Sequence, residues 1–242
     1  MPLPILRSFR VVSNTPLAAG SFSLVLEPAD GEPLFSFLAG QWVMLHLVNP
    51  DGTTWAKAAF SIANAPSEAD GKLELAIKVY GDYTKKASQL AVGDMVKLQG
   101  PYGVFTLRPG AEPLILLAAG IGIGPLRSML RESLVTNPLR PITLFYTNRE
   151  SDAIAYASEL WALSSSHPQF RVVSVLTGSA IPSDWTAEVG RIDEAKLAKH
   201  VGDFMNAEYA MCGPREFMDA IKDLLVAKGV DVKQKLRKEL FS

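Results

Sequence analysis

Residues 113–130, PLILLAAGIGIGPLRSML, constrain this chain more than any other stretch. The unbroken apolar run from Leu114 to Ala119 is what a strand buried on both faces of a parallel sheet requires. Gly120, Gly122 and Gly124 follow at alternate positions, then Pro125. Leu126, Met129 and Leu130 recur at helical spacing, which turns Arg127 outward. Strand, glycine turn and proline at a first helical position present a helix N-terminus to an anion, since proline suits that position and glycine lets a phosphate approach the backbone. A dinucleotide fingerprint needs its third glycine where Pro125 stands, and a P-loop needs Gly-Lys-Ser/Thr, which is absent. Taken alone, the stretch is also readable as an ordinary glycine-rich strand–helix turn.

The rest of the chain narrows the choice. Its 242 residues allow one large or two modest domains, and 48% hydrophobic with 20% charged residues is a globular composition. A formal net charge of −1 leaves no basic footprint for nucleic acid. The longest apolar stretch is about fourteen residues and glycine-broken, against roughly 20 for a membrane span, so no integral membrane segment is expected. The N-terminus, MPLPILRSFRVV, shows no secretory signal core. One cysteine, Cys212, excludes an internal disulfide and a cysteine-ligated iron–sulfur cluster. His46, His167 and His200 are scattered without metal spacing. These features read as a cytoplasmic protein.

Residues 5–13, 21–27, 41–48, 58–64, 72–80 and 95–100 read as strands separated by turns such as Asp30-Gly31 and Asn49-Pro50-Asp51-Gly52, the pattern of a small antiparallel barrel. After Pro109-Gly110 the pattern changes. Strands are expected at 114–119, 142–147, 171–176 and 208–212, and helices at 125–135, 153–164, 193–201 and 214–228. That predicts two domains: an antiparallel β-barrel over residues 1–108 and an α/β domain with a parallel sheet over 109–242.

Several short segments, in order, resemble the ferredoxin–NADP reductase superfamily. Residues 119–125, AGIGIGP, are similar to its Ala-Gly-Gly-x-Gly-(Ile/Val)-x-Pro turn, with Ile121 where a small residue or threonine is usual. Leu38-Ala39-Gly40-Gln41-Trp42-Val43 resembles the Pro-Gly-Gln-aromatic-Val strand of the flavin barrel. Phe60-Ser61-Ile62-Ala63-Asn64 resembles the end of the Arg-x-Tyr-Ser-(Ile/Thr) flavin motif, and Gly100-Pro101-Tyr102-Gly103-Val104-Phe105 the turn that ends the barrel. Phe145-Tyr146-Thr147-Asn148-Arg149 is similar to the segment lining the adenosine end of the nucleotide, and Cys212-Gly213-Pro214 with Phe217-Met218 to the end of the family's fourth strand. The tail from Val232 alternates like an edge strand, with lysines protecting the edge, and resembles the closing Glu-x-Phe segment.

The resemblance implies a flavin barrel and a nucleotide domain, with FAD and NADH (or NADPH) meeting between them. It implies that the Ser61 hydroxyl lies beside the hydride-accepting flavin nitrogen, that Cys212 lies beside the nicotinamide, and that Glu239 completes the catalytic group. Ser61 is alternatively a barrel serine satisfying a neighbouring carbonyl, and Cys212 an inert core residue. Flavin contacts implied are Phe60, Ser61, Ile62, Lys78, Val79, Lys86, Ala87 and Ser88. Nucleotide contacts implied are Gly120, Ile121, Gly122, Ile123, Gly124, Pro125, Asn148, Arg149, Cys212, Gly213 and Pro214. Phe241 either lies against the flavin ring or packs on the sheet edge.

One departure stands out. The family's pyrophosphate-gripping arginine falls at Ala58, with Lys57 one residue earlier. In a strand that step reverses the face, so Lys57 serves the flavin only if a bulge re-aims it. Compensation is expected from residues 83–90, YTKKASQL, where Lys85, Lys86 and Ser88 would begin a short helix facing phosphate; the two lysines are equally readable as a solvated face.

The expected reaction is hydride transfer from nicotinamide to FAD and delivery of electrons to a separate acceptor protein, a ferredoxin or an oxygenase component. Two alternatives are a reductase that uses free flavin as substrate, and a non-catalytic nucleotide-binding subunit or regulator. Glu150 and Asp152 beside Arg149 would repel a 2′-phosphate and favour NADH.

Overall fold

The computed structural model describes residues 5–240; Phe241 lies outside them. Six strands form the first half: β1 (Leu6–Ala18), β2 (Ser21–Pro28), β3 (Trp42–Val48), β4 (Thr54–Ser61), β5 (Leu73–Lys78) and β6 (Met95–Tyr102). They form an antiparallel sheet in the order β4-β3-β6-β1-β2-β5. An Ile62–Leu75 bridge and a 2.8 Å bond from Ala63 N to Glu74 O join the two outer strands, closing the sheet on itself. Alternation drives the closure, because Phe22, Leu24 and Leu26 on β2, Val43, Leu45 and Leu47 on β3, and Leu73, Leu75 and Ile77 on β5 all turn into one core.

Several elements differ in extent from expectation, β4 among them at Thr54–Ser61 rather than 58–64, and two differ for a local reason. β1 runs on to Ala18 because register shifts after Val11 and Pro16 absorb irregularities, and a proline without an N–H is tolerated at such a bulge. The short helix α1 spans Gly81–Ala87, earlier than expected. Gly81 takes a φ of +72°, and the Thr84 hydroxyl accepts from Tyr80 N and donates to Tyr80 O, turning the chain there. Lys85 and Lys86 therefore sit in the last turn of α1, and Ser88 donates to Lys85 O at 2.9 Å as its C-terminal cap. The expected phosphate-facing helix start at these residues is absent.

The second half is a parallel sheet of β7 (Leu114–Ala119), β8 (Ile142–Asn148), β9 (Phe170–Leu176), β10 (Glu188–Val189), β11 (Glu208–Gly213) and β12 (Leu236–Leu240), in the order β10-β9-β8-β7-β11-β12. Successive residues of β7 feed two separate cores. Leu114, Leu116 and Ala118 pack under α2 (Ile123–Thr136) and α3 (Ala157–Ser166). Ile115 and Leu117 pack under α4 (Glu194–His200) and α5 (Arg215–Ala227). The tail begins with one helical turn, α6 (Val232–Lys235), before β12, because the Asp231 carboxylate caps the backbone of Lys233 and Gln234.

The two halves share a core. Ala39, Ala63 and Phe105 from the barrel side pack with the α2 and α3 residues. Arg127 is not turned outward: it is 8% exposed, because α2 meets the sheet with Leu126, Met129 and Leu130 and meets the barrel with the adjoining face.

Candidate active site

The chain order reverses at β7, which has β8 on one side and β11 on the other. A crevice opens outside the carboxyl ends of strands at such a point. Three strand ends converge there. Register places Cys212 of β11 between Ala118 of β7 and Glu239 of β12. From the barrel, Ser61 at the end of β4 donates its hydroxyl to Glu239 Oε2 at 3.0 Å, across 178 positions of sequence. The Cys212 thiol donates to Glu239 O at 3.2 Å. Ser61, Cys212 and Glu239 thus form one hydrogen-bonded group.

Burial sets the protonation of this group. It pushes the Cys212 thiol far above its ordinary value, with the neighbouring Glu239 charge acting in the same direction, so the thiol stays protonated and is no nucleophile. Burial also raises the Glu239 carboxyl, against the opposing hydrogen bond from Ser61. The folded state then binds the Glu239 proton more tightly than the unfolded chain, so stability falls as pH rises from the ordinary glutamate value of about 4.3 through the raised one. Glu239→Gln keeps an acceptor for Ser61 and removes the charge. We expect urea unfolding to show equal stability for the two proteins near pH 4 and a more stable variant near pH 7, whereas an unchanged difference across that range would mean that Glu239 is not perturbed.

The glycine turn packs directly on this group. A short 3-10 segment, Gly120–Gly122, leads into α2, and Gly122 lies so close to β11 that a Cβ there would stand 2.2 Å from Cys212 O. Gly120 takes a φ of +54°, and a Cβ on it would meet nothing within 4 Å, so open space lies above the turn. Beside it on β8, the buried Thr147 hydroxyl, register partner of Ala119, has no hydrogen-bond partner among the described residues. An orphaned hydroxyl, an open glycine backbone and a helix start suit the phosphates and ribose of a nucleotide. Thr147 lies within the expected segment, but a strand-end threonine carries no local signal of its own.

Other expected residues divide. Ile62 and Ala87 are fully buried in the barrel core, and Ile123 is fully buried under the parallel sheet. Gly124 and Pro125 are buried in α2, and Gly213 is buried ahead of Pro214, the exposed N-cap of α5. Ile121 is partly exposed beside the turn, Asn148 is buried at the end of β8, and Arg149, Glu150 and Asp152 are exposed just beyond. Two residues past Arg149, Ser151 stands on the rim of a cavity of about 440 Å³ lined also by Trp161, Ser174, Asp184 and Trp185. No sequence motif marks those tryptophans.

On the flavin side Lys57, expected to reach a cofactor only through a bulge, has none beside it. Pairing from Ala56 to Ser61 is unbroken, and the bulge of β4 falls earlier, at Trp55. Lys57 therefore stays on the face shared with His46 and Lys97, opposite Phe60. Phe60 stacks on Tyr83 (centroids 6.0 Å), Tyr83 on Trp55 (6.3 Å), and the Lys86 ammonium sits 4.3 Å over the Trp55 ring. Lys78 is exposed at the end of β5, and Val79 N donates to Gly20 O at 2.8 Å. The group that these residues would hold thus finds an aromatic wall and cations, without an arginine fork.

Comparison with known proteins adds two domain matches. The family described as oxidoreductase FAD-binding domain matches residues 6–107, and that described as oxidoreductase NAD-binding domain matches residues 116–223. The chain is 30% identical over 227 residues to the propane 2-monooxygenase reductase component of Mycolicibacterium goodii, covering 91% of this chain and 63% of that protein. It is 36% identical over 189 residues to the phenol 2-monooxygenase reductase component of Pseudomonas sp. strain CF600, covering 76% and 52%. Among solved structures, an Amycolatopsis cytochrome P450 reductase aligns with a TM-score of 0.83 at 27% identity, covering 98% of this chain and 71% of that one. The chain spans 52–63% of the length of the curated relatives it matches. Among the described residues, no helix is long and apolar enough to cross a membrane.

Proposed function

The chain belongs to the ferredoxin–NADP reductase superfamily, an FAD-binding domain followed by an NAD-binding domain, and from that premise we propose that it passes electrons from NADH through FAD to a separate acceptor protein. The reductase components of oxygenases among its relatives support an oxygenase component as that acceptor. The observation that carries the reading is the joining of Ser61 from the barrel to Cys212 and Glu239 from the α/β domain, directly under the glycine turn.

Bound FAD would supply the chemistry, taking a hydride from the nicotinamide and releasing electrons onward. The protein supplies geometry and a proton site. Ser61 presents a hydroxyl that can donate or accept as needed. Glu239, raised by burial, is suited to hold or release a proton at its Oε2, in contact with that hydroxyl. Cys212, fully buried and un-ionised, fills the strand end without competing as a nucleophile. The open backbone at Gly120 and the Thr147 hydroxyl would hold the nicotinamide nucleotide, with Arg149 towards its adenosine end. A reaction that consumes NADH fits the cytoplasm.

A second reading, reduction of free flavin as a substrate, is favoured by one feature. Ala58 stands where an arginine would grip the flavin pyrophosphate, Lys57 lies on the face of β4 opposite Ala58 and Phe60, and charge-assisted hydrogen bonds of that kind contribute about 1.5–3 kcal/mol each. The absorption spectrum of the purified protein separates the two: yellow for retained FAD, colourless with activity on added flavin for the second. Titration with both donors completes the test. NADH is expected to be preferred, by the factor that about 0–1 kcal/mol allows, because the exposed Glu150 and Asp152 repel a 2′-phosphate. Equal or better turnover with NADPH would remove that assignment, and no reduction of any flavin by either donor would leave a nucleotide-binding regulator.

A further inference from the structure

We propose that Arg127 is a positioning residue for hydride transfer: its guanidinium holds the end of the flavin strand at a set distance from the nucleotide turn. The proposal rests on the reductase reading above. Arg127 lies in the second turn of α2, just after the glycine turn that α2 continues. Its NH1 donates to Ala63 O at 2.9 Å and to Glu74 Oε2 at 2.9 Å, both on the barrel. Its Nε and NH2 bind the Glu159 carboxylate of α3 at 2.8–3.0 Å. Ala63 is two residues past Ser61. From the Ser61 hydroxyl to the glycine turn, the connection is therefore two residues of backbone, one hydrogen bond and one turn of helix.

The surroundings fix this guanidinium from every side. Its ring-side neighbour is Tyr156, with the guanidinium carbon 4.2 Å from the ring centroid. Glu74 also accepts from Ser23 Oγ at 2.7 Å and Tyr156 OH at 2.8 Å, so its carboxylate cannot swing away. Tyr156 itself has a φ of +59°, a left-handed conformation that an aromatic residue rarely takes and that persists where surrounding contacts over-determine it. One residue along, Ser128 Oγ donates to Asn64 O at 2.7 Å, a second tie from α2 to the same barrel segment. Burial disfavours the Arg127 charge, and the Glu159 and Glu74 carboxylates more than offset it, so the fork stays charged.

Stability alone does not account for this arrangement. A buried ion pair is often matched or bettered by apolar side chains of similar volume. A planar fork that binds a carboxylate on one domain and a carbonyl on the other does something apolar packing cannot: it sets direction and spacing together. Glu74 shares β5 with Lys78, so the same bond also orients the strand expected to reach the flavin. Spacing is what hydride transfer depends on, since a misplacement of about 1 Å costs on the order of 10²-fold in rate.

Two variants test this. Arg127→Lys keeps the charge and loses the fork. The double variant Arg127→Met with Glu74→Met removes the guanidinium and its barrel carboxylate, while Glu159 keeps its ion pair with Arg131 at 2.8 Å, so that no unpaired charge prevents folding. Each is loaded with FAD and mixed anaerobically with NADH, reading the saturating rate of flavin reduction, the NADH dissociation constant and the long-wavelength nicotinamide–flavin absorbance that precedes reduction. In the apoprotein, amide exchange is read across residues 61–64 and 120–124. We expect both variants to bind NADH as the wild type does, to lose that absorbance, to reduce FAD at least about tenfold more slowly, and to exchange faster at both segments. Wild-type reduction rates in the two variants would overturn the proposal, whatever their melting temperatures. A wild-type protein that reduces no flavin would instead overturn the reductase reading and this proposal with it.

Discussion

Alanine at Gly122 is expected to destabilise the protein by about 1–3 kcal/mol, the usual cost of forcing extra atoms into a packed site. The cause is purely steric. Gly122 has a φ of −58°, open to any residue, so no backbone strain enters. Its Cβ, however, would stand 2.2 Å from Cys212 O, 2.6 Å from Cys212 C and 3.1 Å from Gly213 N. All three are backbone atoms of β11, tied on both sides by sheet hydrogen bonds to β7 and β12, and cannot rotate aside. The strand ends must separate, and with them Cys212 and Glu239 from the glycine turn. Gly124→Ala is the matched comparison. Its Cβ would meet only Ala76 Cβ at 3.8 Å, ordinary contact, and alanine in a helix is favoured over glycine by up to about 1 kcal/mol. Urea unfolding of the two variants should move in opposite directions; equal shifts would show that the junction between β7 and β11 has room to relax.

Ser61→Ala and Cys212→Ala are each expected to slow reduction of bound FAD by NADH about tenfold. That is the factor for one hydrogen bond of roughly 1–1.5 kcal/mol lost from the transition state. The first variant leaves Glu239 without its donor, and the second removes the bond to the Glu239 carbonyl. Because both act on Glu239, their effects should combine to less than the product of the two. Anaerobic stopped-flow reduction measures the step without any acceptor. A variant that reduces its flavin at the wild-type rate assigns that residue a structural role only.

Much of this protein was legible in its residues. Alternation in β2, β3 and β5 and the doubly apolar β7 predict a barrel followed by a parallel sheet, because side-chain periodicity is a property of the chain itself. The glycine turn, the Phe60-Ser61 strand end, Cys212-Gly213-Pro214 and the closing Glu-x-Phe segment are likewise local, and the family resemblance they carry implies Ser61, Cys212 and Glu239 before any contact is known. The face of Lys57 follows from counting along an unbroken strand.

What the tertiary structure decided lies between segments. Helical spacing marks one apolar face of α2 for the sheet, but nothing local says that a second body will cover the opposite face, so Arg127 reads as solvent-facing until Glu74 and Ala63 arrive from the barrel. The end of α1 at which Lys85 and Lys86 fall depended on a Thr84 side-chain bond one turn earlier. Phe60, Tyr83 and Trp55 come from two elements and stack only once the barrel closes. Ser61 and Glu239 stand 178 positions apart, and their bond exists because the last strand of one domain ends against the fourth strand of the other. Periodicity and turn chemistry are encoded within a few residues, whereas charge pairing and proton affinity depend on which surfaces the completed fold brings together and dries.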